Sequence, residues 1–203
     1  MPNLPISGLP QANALTGSEL FATVQDGVTK YTTLNNITGS IGGVGGGGFG
    51  WARYDDTTYT TSSFFVVTAS AAAVALPNNA GYTLDTYMNS TVDYYNSGTQ
   101  KVQMAKAGDV YSMVVVFNAK APNANQTHID ISLSSTGATP YDRVSKSLNF
   151  AKGNDEWENF YESFHFYADA DFVANGNQWK IYADGGDVHI ANVIYFIQKT
   201  FGA

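Results

Sequence analysis

Acidic side chains are the residues of this sequence best suited to chemistry, because they occur close together in four places. The clusters are Asp55 with Asp56, Asp155 and Glu156 with Glu158, Asp169 with Asp171, and Asp184 with Asp187. A glycosidase needs two carboxylates roughly 5 to 10 Å apart across a cleft, and a calcium site needs clustered oxygen ligands. These acids stand beside Gly and Asn, where Asp typically makes the hydrogen bonds of turns. We therefore interpret them as turn residues, with a weak calcium site at 184–187 and a polysaccharide depolymerase as alternatives.

Histidine chemistry is weakly supported. His128, His165 and His189 all fall on predicted strands and are far apart in the sequence. A zinc site needs three or four ligands at defined spacing, and the chain has no Cys to supply a thiolate. A Ser-His-Asp triad would be favoured by a GxSxG motif, which is absent. We predict no catalytic residue, no metal, no cofactor and no enzyme activity.

Two aromatic residues stand in predicted loops, where a ring can stack on a sugar. Tyr141 follows a Pro, and Trp157 is surrounded by polar and acidic residues. Trp157 could equally pack on the core at the start of a strand. Tyr141 and Trp157 are therefore our candidate glycan-binding residues, and the packing alternative stays open for Trp157.

A glycine run at 41–50 separates two parts of the chain, with seven glycines in ten residues. It contains the spacing GxGxxG at Gly45, Gly47 and Gly50. A dinucleotide site needs a strand before that motif, a helix after it and an acid about 20 residues on. The next segment, 51–58, has no helical pattern, and no Lys-Ser/Thr follows the glycines as a phosphate loop requires. We interpret the run as a flexible linker.

The part before the linker, residues 1–40, predicts a small docking module. Two strand-like runs, 19–24 and 28–33, flank Gln25-Asp26-Gly27, and Asp-Gly is a strong hairpin signal. Residues 33–37 are typical of one helical turn, with Thr33 as its cap. Two strands and a turn cannot bury enough surface to fold alone. Such a module must dock on copies of itself or on a larger particle.

The part after the linker, residues 51–203, alternates with the period of two that indicates β-strands. The runs 128–133, 160–166 and 179–182 alternate apolar with polar residues, whereas 111–117 and 188–199 are apolar on both faces. Clusters of Gly, Asn, Asp and Pro separate them. About eight to ten short strands divided by turns predict an all-β fold, a jelly-roll sandwich of two sheets.

The aromatic content exceeds what one core needs, with 13 Tyr and 12 Phe in the chain. Tyr tolerates burial with one wet end and is common at interfaces. We therefore expect self-association through a sheet face, with a large Tyr-rich monomer core as the alternative. The candidate interface residues are Tyr111, Phe164, Phe166 and Tyr195.

Composition excludes several partner classes. The chain has 203 residues, ten Lys and Arg, and a net charge of −7. Nucleic-acid binding needs a clustered positive surface to neutralise phosphates, so we predict no nucleic-acid partner. The N-terminus lacks the basic and apolar regions of a signal peptide, and no apolar run approaches the ~20 residues that span a bilayer. We therefore expect no membrane insertion, and the absence of Cys fits folding in a reducing cytoplasm.

Residues 6–20, continuing through 24–30 to Leu34 and Ile37, resemble an attachment or trimerisation module of tailed-bacteriophage virion proteins. The resemblance covers about 35 residues, and it implies virion-anchor roles for Ile6, Leu9, Leu15, Leu20, Val24, Asp26, Gly27 and Val28. The C-terminal part resembles the tumour-necrosis-factor-like jelly rolls attached to such modules. The matching pieces are 50–54, 76–79, 172–176 and 193–197.

These resemblances imply a homotrimeric structural protein exposed on a phage virion and assembled in the host cytoplasm. Residues 1–40 would anchor it to other virion proteins of the capsid or tail, 41–50 would form the linker, and 51–203 would form the head. It would be a fibre or capsid-decoration protein, with host attachment as a further role. The alternatives are a tail-associated, lectin-like protein that binds a host-surface glycan and, more distantly, a depolymerase.

Overall fold

The computed structural model describes residues 20–25, 28–33, 50–69, 72–88, 90, 92–123, 128–151 and 155–202. For 20–25 and 28–33 it describes the backbone. The chain divides into two compact units, residues 1–45 and 46–203. The division falls inside the glycine run.

The N-terminal unit contains the hairpin that the Asp-Gly signal predicts. Strand β1 (Leu20–Gln25) pairs antiparallel with β2 (Val28–Thr33), and Leu20 lies opposite Thr33. Of the predicted anchor residues, Leu20, Val24 and Val28 lie on these strands. The other predicted anchor residues lie outside the described residues: Ile6, Leu9, Leu15, Asp26 and Gly27. Residues 34–37 of the predicted helical turn and 41–49 of the linker also lie outside them.

The C-terminal unit, which we call the head, is built almost entirely from strands. In chain order they are β3 (Gly50–Asp55), β4 (Phe65–Val67), β5 (Val74–Ala75), β6 (Tyr82–Leu84), β7 (Tyr95–Asn96), β8 (Lys101–Val102), β9 (Val110–Lys120), β10 (His128–Ser135), β11 (Asp142–Asn149), β12 (Glu158–Tyr167), β13 (Asn177–Tyr182) and β14 (Val188–Phe201). One short helix, α1 (Ala170–Asn175), precedes β13. None of the helices in the described ranges is long and apolar enough to cross a membrane.

Two antiparallel sheets form a jelly-roll sandwich, which confirms the predicted all-β fold. The first sheet has the order β12-β9-β14-β3-β6, with β4 also paired to β14. The second sheet has the order β11-β10-β13-β8-β7, with β5 also paired to β13. Strands that are distant in sequence are therefore neighbours in both sheets, so the fold brings together residues that no local motif connects.

The core lies between the two sheets and takes every second residue of the long strands. In β9, buried and half-buried residues alternate without interruption over 11 residues. The second sheet contributes Trp179, which is 1% exposed and whose ring centroid lies 4.7 Å from that of Phe164 on the first sheet. Contacts of this kind link the sheets through aromatic rings.

The four residues predicted for a trimer interface lie in this core, which corrects that prediction. Tyr111 and Tyr195 are fully buried, and Phe164 and Phe166 are 7% exposed. The Tyr195 hydroxyl donates to the Leu76 carbonyl at 2.9 Å. The period of two shows which residues share a face of a strand, but the packing of the second sheet decides which face is inside. On strands that are apolar on both faces, the sequence pattern does not show which face points into the core.

One ion pair is also buried in the head. Lys199 Nζ on β14 lies 2.7 Å from Asp109 Oδ2, and the two side chains are 5% and 0% exposed. The Tyr111 hydroxyl donates to the same oxygen at 3.1 Å. Both the burial of Tyr111 and the negative charge of Asp109 raise the pKa of this tyrosine well above its ordinary value. This pair therefore fixes the start of β9 to the end of β14.

Candidate functional site

The outward side of the first sheet carries an apolar face, which we define as Val114, Val116, Tyr161, Ile194 and Phe196. The strand register places Tyr161 opposite Val116, and Val116 opposite Ile194, in one row across β12, β9 and β14. In the next row Val114 lies opposite Phe196. Tyr161 is 67% exposed, and the other four are half-buried. Large contiguous exposed apolar patches on proteins mark interaction surfaces.

Further aromatic residues extend the apolar face across β3. The Trp51 ring lies 5.3 Å from the Phe196 ring and stacks on the exposed Tyr87 ring at 5.0 Å. Arg53 lines a depression of about 340 Å³ together with the five residues of the face. Its guanidinium makes two 2.8 Å hydrogen bonds to the Asp55 carboxylate, which raises the pKa of Arg53 above its ordinary value. The Arg53 cation that lines the depression is thus balanced by an anion of the same chain.

Polar residues border the apolar face at both ends. At one end the Asn159 amide donates to Asn118 Oδ1 at 2.9 Å. At the other end the register brings His165, Ser112 and Gln198 into one row. An apolar centre with a polar border is the usual anatomy of a protein interface.

The outward side of the second sheet is polar and forms a groove of about 560 Å³, which we call the serine groove. Across β11, β10 and β13, Ser145 lies opposite Ser132, and Ser132 lies opposite Lys180. In the adjacent row Asp130 lies opposite Tyr182 and accepts a hydrogen bond from Ser147. The groove is therefore lined by hydroxyl, carboxylate and ammonium groups.

A second groove of about 290 Å³, which we call the tyrosine groove, lies beside the first. The exposed residues Tyr141, Tyr167 and His165 line it, together with Asp142 and Arg143. Tyr141 is 46% and Tyr167 63% exposed. Asp142 lines both grooves. The structure therefore places Tyr141, a predicted glycan-binding residue, at a groove rather than on an isolated loop.

Tyr141 is held in place by its neighbours. Its hydroxyl donates to Asp169 Oδ2 at 3.1 Å, and the Arg143 guanidinium lies 5.0 Å from the centre of its ring. Arg143 is itself 7% exposed and donates to both oxygens of Asp169 at 2.8 Å and to Asp171 at 3.1 Å. Asp169 also caps α1 by accepting from the Phe172 N–H.

The charges of this network have a clear electrostatic consequence. The Arg143 hydrogen bond holds the pKa of Asp169 far below its usual range. Partial desolvation and the hydrogen bond to Asp169 raise the pKa of Tyr141, and the nearby Arg143 charge opposes them in part. The Asp169 carboxylate and the Tyr141 phenol therefore keep their charge states at neutral pH, and the ring orientation stays fixed.

Trp157, the other predicted glycan-binding residue, lies at one end of the sandwich. It is half-buried, and the Lys120 ammonium lies 5.4 Å from its ring centre and 5.8 Å from that of Phe64. Lys120 also pairs with Asp155 at 2.7 Å. The Phe64 ring stacks on His189 at 3.9 Å. These contacts favour the packing alternative for Trp157 over a freely displayed ring.

The acidic clusters mostly act as turn and cap residues. Asp56 accepts from the Tyr59 N–H at 2.8 Å, and Asp187 accepts from the Ala69 N–H at 2.8 Å. Asp155 pairs with Lys120, which lowers the pKa of Asp155. Asp55 departs from the expectation because it lies within β3 and pairs with Arg53. Within the described part of the chain, no three His, Asp or Glu side chains come together as a metal site would require.

Sequence reasoning missed most residues of the apolar face and of the two grooves. Val114, Val116 and Ile194 were visible as the second apolar face of their strands, which is the signal that could have identified the apolar face. Arg143 and Asp142 carried no such signal, because β11 is a polar strand with no apolar alternation. Only the sheet pairing brings them beside Tyr141 and Asp169.

Comparisons with known proteins give likenesses in fold. No protein-family model matches the sequence, and the search of curated proteins found no match. Among solved structures, Eiger TNF from S. frugiperda is similar with 14% identity over 76% of this chain and 94% of its own, at a TM-score of 0.48. The PRD1 vertex protein P5 has 10% identity over 98% of this chain and 91% of its own, at a TM-score of 0.44.

A family 22 carbohydrate binding module of Clostridium thermocellum Xyn10B is also similar in structure. It has 16% identity over 76% of this chain and 86% of its own, at a TM-score of 0.34. With 10 to 16% identity and TM-scores below 0.5, these three likenesses carry no argument about this chain, and its function is argued from its own residues.

Proposed function

We propose that this chain is a homotrimeric structural protein of a tailed-phage virion, whose head assembles through the apolar face. The observation that carries the proposal is the apolar face itself, a cluster of Val, Ile, Phe and Tyr side chains on the outward side of the first sheet. Burying such a surface removes apolar area from water, which is the main driving force of protein association. The proposal assigns no catalytic residue.

Copies of the same chain suit this face better than a charged partner. Arg53 is the basic residue lining the depression, and Asp55 of the same chain neutralises it. An incoming surface therefore needs apolar side chains and shape complementarity rather than an opposite charge. Another copy of the apolar face, or of the aromatic residues beside it, meets that requirement. The number three comes from the resemblance to trimeric phage heads and attachment modules.

The N-terminal unit supports the virion role. Its described structure is one two-stranded hairpin, and an isolated hairpin is marginally stable at best in water. A unit of this kind gains stability by docking. The residues of the resemblance in 6–37 supply the proposed anchor to other virion proteins, and three anchors in a trimer bind more tightly than one through avidity.

Light scattering on the full-length protein tests the assembly. The chain mass is 21.8 kDa, so a trimer gives about three times that value. Ile194→Asp places a charge in the apolar face and should shift the mass to that of the monomer while the far-ultraviolet circular dichroism spectrum stays unchanged. The matched control is Asn149→Asp, which puts the same side chain at an exposed site on the second sheet and should remain trimeric. A monomeric wild type, or an Ile194→Asp variant that stays trimeric, contradicts the proposal.

Deletion of residues 1–40 tests the anchor separately. The truncated head should remain folded and should no longer join particles in a complementation assay. Incorporation of the truncated head would show that the anchor lies elsewhere, without affecting the result on the apolar face.

A second candidate function is attachment to a host-surface glycan in a lectin-like manner. The specific observation in its favour is Tyr141, an exposed ring fixed by Asp169 and Arg143 at the edge of a groove. This role is compatible with the first because the residues that line the grooves are distinct from the five residues of the apolar face.

A further inference from the structure

We propose that the tyrosine and serine grooves together form one site for a neutral oligosaccharide chain, with Tyr141 as the stacking platform. The proposal rests on the attachment role proposed above and deepens it, because it names the class of glycan and the residues that hold it. The juxtaposition that carries it is an immobilised, exposed aromatic ring beside a groove rich in hydroxyl groups.

The first step of the argument is that Tyr141 is arranged before any ligand arrives. Its hydroxyl is bonded to Asp169, and the Arg143 guanidinium lies against its ring. The ring nevertheless stays 46% exposed. A pyranose presents a flat apolar patch of C–H groups, which packs on an aromatic ring. Because Tyr141 is already fixed, stacking a sugar on it costs little side-chain entropy.

The second step is that groups capable of binding sugar hydroxyls adjoin the ring. Asp142 lies next to Tyr141 in the chain and lines both grooves. Its Oδ1 accepts from the Ser134 hydroxyl at 2.5 Å, so its position is also fixed. In the serine groove, Ser132, Ser145 and Lys180 form one row across three strands. Hydroxyl, carboxylate and ammonium groups in a shallow groove can donate to and accept from several sugar hydroxyls at once.

The third step concerns size. The serine groove crosses β11, β10 and β13, and neighbouring strands lie about 4.8 Å apart, so the groove is about 10 Å wide. Its volume of about 560 Å³ adds to the 290 Å³ of the tyrosine groove, and the two meet at Asp142. This space suits several linked sugar units rather than one. Affinity should therefore rise with chain length from a monosaccharide to a hexasaccharide.

The fourth step is the charge of the site, which selects the class of glycan. The two grooves are lined by three carboxylates, Asp130, Asp142 and Asp169, and by three cations, Arg143, Lys146 and Lys180. Two further carboxylates pair with these cations, Asp171 with Arg143 and Glu162 with Lys146. All four Arg143 hydrogen bonds go to protein atoms, three of them to carboxylates and one to Asn177 Oδ1. With Asp171 and Glu162 counted, five carboxylates stand against three cations, so the site has no net positive charge to attract uronic acids, sialic acids or phosphate-bearing polymers. Neutral hexose chains remain as the class that fits.

The proposal is tested on the full-length wild-type protein with an array of neutral oligosaccharides and uronic-acid oligosaccharides of matched length. We expect saturable binding to at least one neutral hexasaccharide, stronger than to its monosaccharide, and weaker or absent binding to the uronic-acid chains. Tyr141→Ala should weaken binding about tenfold, as the loss of a stacked ring does. Tyr141→Phe keeps the ring, loses its bond to Asp169, and should weaken binding less. The matched control is Tyr82→Ala, because Tyr82 on β6 is 50% exposed and lines neither groove.

Each outcome decides between the proposals. Absence of binding to every neutral chain by a trimeric protein overturns the glycan site and leaves the assembly proposal intact. Equal losses for Tyr141→Ala and Tyr82→Ala, or preferential binding of uronic-acid chains, also overturn it. Glycan binding by a protein that light scattering shows to be monomeric supports the site and contradicts the proposed trimer.

Discussion

The two outward faces of the head differ sharply, although the same sandwich presents both. At the centre of the first sheet, the residues that point away from the core include Val114, Val116, Ile194 and Phe196. On the second sheet, the corresponding positions are Asp130, Ser132, Lys180 and Tyr182. The strands of both sheets alternate in the same way, and the inward residues of both are apolar. What differs is the chemistry of the outward side, which is polar on the second sheet and apolar at the centre of the first.

This difference indicates a division of labour. An isolated sandwich needs polar outward residues on both sheets, as antiparallel sheets with one solvated face normally have. The second sheet follows that rule and forms grooves, whereas the first sheet departs from it over five residues in two adjacent rows. The departure fits the proposed packing of the head against copies of itself, and under that proposal the serine groove stays available for a ligand.

The largest effect is expected from the buried layer that supports both faces. Lys199→Met removes an ammonium 2.7 Å from the fully buried Asp109. Loss of one partner from a buried ion pair costs about 3 to 5 kcal/mol of unfolding free energy. Denaturant unfolding should show this loss, and both assembly and glycan binding should decline together.

The matched control for this change lies at the other end of β9. Lys120→Met removes an ammonium that pairs with Asp155, whose side chain is 68% exposed. An ion pair with an exposed partner contributes about 1 kcal/mol or less. The contacts of the Lys120 ammonium with the Trp157 and Phe64 rings add about 0.5 to 1 kcal/mol each, so the total loss should stay below that of Lys199→Met. A Lys120→Met variant as unstable as Lys199→Met would show that burial does not govern these pairs.

A smaller loss of stability should distinguish the arginine of the tyrosine groove from the arginine at the apolar face. Arg143→Gln in the tyrosine groove removes the bidentate bonds to Asp169 from a side chain that is 7% exposed, and should cost about 1.5 to 3 kcal/mol. Arg53→Gln at the apolar face removes a similar bidentate bond to Asp55 from a side chain that is 43% exposed. Its cost in the dissociated protein should stay below about 1 kcal/mol. Denaturant unfolding at a concentration where the proposed trimer dissociates measures both losses of stability, and equal losses would contradict this difference.

The Arg143 variant also has a pH signature. The pKa of Asp169 in the folded protein lies far below the value of about 3.9 in an unfolded chain. Its ionised form therefore stabilises the fold above about pH 4, and that contribution is lost as the pH falls further. The difference in unfolding free energy between wild type and Arg143→Gln should be full at pH 7 and should shrink between pH 4 and pH 2. A difference that stays constant would mean that Asp169 is not the group concerned.

The sequence could predict the long strands because each alternates over many residues. The runs 111–117, 128–133, 160–166, 179–182 and 188–199 all lie within observed strands. Strand β11 was not predicted, since of its eight residues only Leu148 is buried and its pairing with β10 makes it a strand. Strands β4 to β8 are two or three residues long, which is too short for any period to show.

The candidate site could be predicted only in part, for a related reason. Tyr141 was identified as a loop aromatic, but Arg143 and Asp169, which hold its ring, are 26 residues apart in the chain and meet through tertiary packing. The predicted interface residues lie on strands that the sequence pattern indicates, but their side chains point into the core rather than outward. Tyr195 and Ile194 are adjacent in the sequence, and only the position of the second sheet decides that Tyr195 is inside and Ile194 outside.

The smallest expected effect concerns His189, which lies opposite Lys120 on the outward side of the first sheet, beyond the polar border formed by Asn118 and Asn159. Partial burial and the Lys120 charge lower its pKa, against the opposing effects of Asp155 and Asp187. Its Nδ1 atom is buried and finds no hydrogen-bond partner among the described residues. The protonated form is therefore disfavoured in the folded protein relative to the unfolded chain, where the pKa is about 6.5.

A folded-state pKa below the unfolded value means that stability is full above about pH 6.5 and is lost as the pH falls through the folded-state pKa. The wild type should therefore melt at a lower temperature at pH 5.5 than at pH 7.5, by no more than about 2 to 4 °C. His189→Gln should remove most of this difference, whereas His165→Gln, at an exposed site on the first sheet, should retain it. The assembly mass should stay the same over this pH range, because the apolar face contains no group that titrates there. A mass that changes with His189 protonation would instead couple this end of the sandwich to the apolar face.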